Sequence, residues 1–189
     1  VSDGATVTVN GNVTGNGIDT VIAKKGTVTV NGTVTATDLS EKTGVLASNG
    51  SNLTVGDTEV GGKESTGVIA ESGSKATAGN VKVSGEYMTG ASACGDSTVH
   101  VKGNVTADGN GMTGVSVHDG DKSSLIVDGD VTATGENSVG IYGETGTIKI
   151  GGDVSGREAV ITKGKADVTV GGSVSGTLVG IVAGGNAAV

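Results

Sequence analysis

The chain has 189 residues, a formal charge of −8 and 37 glycines, with no proline, tryptophan or phenylalanine. Glycine is not placed at every third position, which excludes collagen, and no apolar run approaches the ~18 residues of a membrane span. The acidic balance argues against nucleic acid, which needs clustered basic residues, and valine, threonine and glycine argue against a helical bundle.

Read in chain order, one phrase recurs: apolar-x-apolar-x-Gly-x-apolar. It appears as Val7-Thr-Val9-Asn-Gly11-Asn-Val13 and Val28-Thr-Val30-Asn-Gly32-Thr-Val34. Leu53-Thr-Val55-Gly-Asp-Thr-Glu-Val60 reads as a third copy with an extra residue at its corner. The fourth copy reads as Val81-Lys-Val83-Ser-Gly85-Glu-Tyr87, and the fifth as Val99-His-Val101-Lys-Gly103-Asn-Val105. Leu125 to Val131, Ile148 to Val154 and Val168 to Val174 complete eight. The starts are spaced by 21, 25, 28, 18, 26, 23 and 20 residues, averaging 23. Such uneven spacing predicts insertions in loops, for example Ala36 to Lys42 and Ser72 to Asn80.

A second phrase follows the first: Thr43-Gly-Val45-Leu-Ala47, Thr66-Gly-Val68-Ile-Ala70, Thr89-Gly-Ala91-Ser-Ala93 and their successors, ending at Val179-Gly-Ile181-Val-Ala183. Alternation of apolar and polar residues is strand period, with alternate side chains inward. The glycine at one fixed place predicts a corner with φ > 0. Three strands and three corners per ~23 residues make a triangular coil. A lone coil buries about five aliphatics, each worth roughly 1.5–3 kcal/mol. Ordering its backbone costs roughly 1–2 kcal/mol per residue. Coils must therefore stack and share interfaces. The expected fold is all-β: one parallel β-solenoid domain over residues 1–189, three-sided, with about eight coils.

The phrases VTVNGNVTGNG, VTVNGTVTATD, VHVKGNVTADGNGMTGVSV and LIVDGDVTATGENSVGIYG resemble the passenger regions of bacterial surface adhesins and autotransporter-like proteins. The resemblance covers nearly the whole chain. It implies a right-handed parallel β-helix, a secreted or cell-surface location in a bacterium, and an adhesive or structural role. A glycan or a cell-surface receptor is the external partner it implies.

No enzymatic constellation stands out, and no catalytic residue, metal site or cofactor is expected. A polysaccharide-degrading solenoid needs clustered carboxylates and basic residues; here Arg157 is the only arginine and His100 and His118 the only histidines. His100 lies between Val99 and Val101 and should face outward. Asp119 with Asp121, and Asp128 with Asp130, read as solvated corner residues. Tyr142 is expected on the surface. Regular threonine pairs, as an ice-like surface needs, are found only at Thr6/Thr8 and Thr27/Thr29.

The ends carry the functional expectation. Val1 to Val7 runs almost directly into the first coil, and Gly180 to Val189 stays small and apolar. An open solenoid end exposes unpaired backbone and an apolar cross-section. Val7, Val9 and Val13 at one end, and Val179, Ile181 and Ala183 at the other, are the candidate self-assembly residues. Head-to-tail contact between copies is heterologous and gives an open filament.

Overall fold

Each Val-x-Val phrase forms a four-residue strand because its β-branched residues suit a pleated, half-buried surface. In a computed structural model describing residues 3–189, these strands stack into an all-β parallel solenoid of about eight coils. Val1 and Ser2 lie outside the described residues. Face one holds Thr6–Val9, Thr27–Val30, Asn52–Val55, Lys75–Ala78, Thr98–Val101, Ser124–Val127, Thr147–Ile150 and Asp167–Val170, in that order across one sheet. Face two begins with Val13–Asn16, Val34–Ser40, Thr58–Lys63, Val81–Glu86, Val105–Asn110 and Val131–Thr134. Face three holds Val21–Lys24, Thr43–Ser48, Thr66–Ala70, Thr89–Cys94, Thr113–His118 and Val139–Gly143. In the last two coils the long strands Val154–Thr162 and Val174–Ala183 run across both faces and join them into one sheet.

Register corrects three expectations. Ala76 pairs with Leu53 and Val99, so the face-one strand of coil four is Lys75–Ala78. Val81 pairs with Thr58 and Val105 on face two. The valines at 81 and 83 outweigh the alanines at 76 and 78 as an apolar signal, and so mimic a first strand. Moving the start to Ala76 evens the spacings to 21, 25, 23, 23, 26, 23 and 20. Ser72 to Asn80 is therefore mostly corner and strand, and Ala36 to Lys42 falls largely within Val34–Ser40, where an irregularity between Ala36 and Leu39 absorbs the extra chain. The coil-three corner is one residue shorter than that of coil two, not longer: Val30 pairs with Val55 and Val34 with Thr58.

The corner glycines are also there for a different reason. Among the described residues, Gly11, Gly32, Gly103, Gly129, Gly152 and Gly172 do not have positive φ. Gly85 does, at 139°, but it lies in a face-two strand stacked between Gly62 and Gly109. What the corner needs is room. A Cβ on Gly103, Gly129, Gly152 or Gly172 would collide with the side-chain carbonyl oxygen of Asn80, Asn104, Asp130 or Asp153 in the preceding coil. Those oxygens form a ladder. Asn80 Oδ1 accepts from Asn104 N–H at 3.0 Å, Asn104 Oδ1 from Asp130 N–H at 2.8 Å, and Asp130 Oδ1 from Asp153 N–H at 2.8 Å. Asp153 Oδ1 then accepts from Ser173 N–H at 2.7 Å. Asp130 is exposed at its corner, as expected, and is also a rung of the stack.

In coils two to six the corner between faces two and three includes a left-handed residue: Glu41, Glu64, Tyr87, Gly111 and Asn137. Met88 and Met112, fully buried, fill the space behind it. The next corner is lined by the buried serines Ser51, Ser74 and Ser97, whose hydroxyls meet backbone groups of neighbouring coils or turns.

Candidate functional site

Several interior columns lie exposed at the first and last described coils. Along face one, Val7 is 39 % exposed, whereas Val28, the next residue in its column, is 4 % exposed. Val9 and Val13 are half-buried and pack on the edge of the core. Together with Val21, Val28 and Val30 they line an apolar mouth at the first coil. At the other end Ile181 is 49 % exposed, although its partner Val160 is fully buried. Ala183 is exposed above Thr162. Val179 falls in the corner column it shares with Val139 and Glu158, beside the core columns of Ile181 and Ala183. Ala188 opens a ninth rung on face one by bridging to Asp167, and Val168 N–H donates to its carbonyl at 2.9 Å. That rung covers Val168, which stays at 2 % exposure.

The strand faces carry other groups. His100 points outward, and its Nε2 lies 3.0 Å from Asp128 Oδ2 on the next coil. With the corrected register, the outward row of face one runs Thr8, Thr29, Thr54, Thr77, His100, Ile126, Lys149 and Thr169. Coil four contributes Lys75 and Thr77, so threonine pairs still stop after coil two.

Face three has an outward row of Ile22, Leu46, Ile69, Ser92, Ser116, Tyr142, Ile161 and Val182. Tyr142 donates its hydroxyl to Glu144 Oε1 at 2.6 Å, and Lys163 Nζ stands 5.3 Å from the ring centroid. The hydrogen bond to Glu144, with some burial, pushes the Tyr142 phenol above its usual value. Cys94 lies beside this row in register with His118, its thiol 3.8 Å from Ala70 O. Burial, then the carboxylates of Glu71 and Asp119, raise the thiol above its usual value.

Sequence reading missed the middle of this row. Ser116 donates to Ser92 Oγ at 2.9 Å, Ser92 Oγ lies 3.5 Å from His118 Nε2, and His118 Nδ1 lies 3.0 Å from Asp119 Oδ2. The serines are separated from each other by one coil and meet only through the stacking register. Among the described residues no group of three or more His, Cys, Asp or Glu side chains is placed to hold a metal.

The fold defines a parallel β-solenoid of about eight coils. No family model, curated protein or solved structure matches the chain.

Proposed function

We propose that the chain is a structural rod of an extracellular or cell-surface fibre, in which the last coil of one copy is continued by the first coil of the next. The carrying observation is the contrast within single columns: Val7 and Ile181 are open at 39 % and 49 %, while their neighbours one coil inward are buried. Stacking a further coil removes that apolar area from water and pairs the edge strands. The same surfaces are joined within one polypeptide wherever a solenoid runs on, and the isolated chain tests the contact between copies. The texture of the repeat, which resembles adhesin passengers, supports a surface location. In a second reading, an adhesin stalk that binds a glycan or receptor, the short corners favour a strand face as the contact surface.

The test is electron microscopy with sedimentation of the purified chain. Filaments with a layer spacing near ~4.8 Å are expected, and Ile181→Asp should reduce them to single rods without changing β content. Single rods at every concentration of the unaltered chain, or undiminished filaments from Ile181→Asp, would overturn the proposal.

A further inference from the structure

We infer that Ser92 is a base-activated nucleophile, and that face three takes small, uncharged acyl or phosphonyl electrophiles there. The site is independent of end-to-end stacking, since it lies in coils four and five.

Four side chains form one directed chain. Asp119 sits in a left-handed turn at φ 51°, with its carboxylate beside the neighbouring His118 ring. Its Oδ2 is 3.0 Å from His118 Nδ1, which places the ring proton on that nitrogen and leaves Nε2 as acceptor. Nε2 faces Ser92 Oγ at 3.5 Å, a separation typical of a nucleophile and base before the reacting complex tightens. Ser116 donates to Ser92 Oγ at 2.9 Å, so the proton of Ser92 is free to point at the imidazole. Nucleophile, base and orienting carboxylate thus occupy the relation that activates serine in acyl transfer. Both serines belong to an outward row yet are only 3 % and 8 % exposed, so bulk water competes little for their hydrogen bonds.

The step balances as follows. Ser92 Oγ attacks the carbonyl carbon or phosphorus, and its proton passes to His118 Nε2. Asp119 offsets the charge of the imidazolium. The bond to the leaving group breaks, and the leaving group departs with the electron pair. The strand amides are committed to the coil-to-coil ladder and the one hydroxyl proton of Ser116 is engaged by Ser92 Oγ, so no donor is preorganised for the developing oxyanion. Two preorganised amides are the usual device, and lacking them the site should be labelled once rather than turn over rapidly. Glu71 and Asp119 act on the adjacent Cys94, so the surroundings are acidic and repel anionic reagents. Ile69 and Tyr142 flank the serine pair along the row.

The experiment treats the folded chain with a small alkyl fluorophosphonate and locates adducts by intact mass and peptide mapping. The P–F bond breaks, an Oγ–P bond forms, fluoride leaves and the proton goes to His118. One adduct, on Ser92, is expected; Ser92→Ala should abolish it. His118→Gln should slow labelling by about 100-fold or more, and Asp119→Asn should slow it less, with circular dichroism melts showing all three folded. An unlabelled folded chain, adducts scattered over other serines, or His118→Gln labelled at the original rate would overturn the inference.

Discussion

Gly90 lies against the backbone of Gly114. A methyl group on its Cα would stand 2.5 Å from the Gly114 carbonyl oxygen and 2.5 Å from Val105 Cγ1. The same relation repeats from Gly67 to Gly90 and from Gly114 to Gly140. The glycine of the Thr-Gly phrase therefore sets how closely face three approaches both the next coil and the valines of face two. Gly90→Ala should destabilise the chain by about 2–3 kcal/mol, the upper range for overpacking, because one obstacle is backbone and cannot rotate away. Chemical denaturation checks this; a change under ~0.5 kcal/mol would show that the coils slide apart more easily than their packing suggests.

Thr58 should respond in the opposite direction. It is 1 % exposed, occupies the rung between Val34 and Val81, and its Oγ1 has no hydrogen-bond partner. Burying an unpaired hydroxyl costs roughly 1–3 kcal/mol. Thr58→Val keeps the shape and removes that cost, so the unfolding midpoint should rise. Ser48 Oγ is buried and unpartnered in the same way, and Ser48→Ala should also stabilise.

The Tyr142 phenol gives a pH readout. In a Tyr87→Phe background, absorbance of the phenolate should appear above the ordinary tyrosine value of about 10, because the neutral hydroxyl donates to Glu144. A group whose folded pKa is raised contributes stability that is complete below the unfolded pKa and is lost as pH rises through the folded one. Stability should thus fall as pH rises past the ordinary tyrosine range, and Tyr142→Phe should remove that component. Glu144→Gln should bring the titration back down.

Cys94 should alkylate slowly with iodoacetamide at mildly alkaline pH, since the thiolate is disfavoured by burial and by Glu71 and Asp119. Glu71→Gln should raise the rate modestly. Unfolding in denaturant should raise it further by removing the burial cost.

The architecture was legible because valine alternation survives in most coils, and inward and outward residues follow its parity. Legibility failed where that contrast fades. Ala76 and Ala78 are fully interior but weakly apolar, so Val81 and Val83 took their place in the reading and displaced the register of coil four. The evenness of spacing recovered by moving the start to Ala76 was the available signal. The corner glycines were recognised by position and misread in mechanism, because a collision with Asn80 or Asn104 belongs to the coil before and leaves no local mark. Ser92 and His118 could not be anticipated, since residues 26 apart meet only through a register that insertions of one or two residues would shift.

The coil-to-coil hydrogen bonds run along the rod, and this orients its weakness. Tension between the two ends acts directly on those bonds, one interface after another, instead of shearing many strands together. The rod should yield by peeling, one coil per event. Each event frees ~23 residues, about 75 Å of extended chain, in place of about 4.8 Å of rod. A short stiff element of this kind holds a long reserve of tether, released in steps under load.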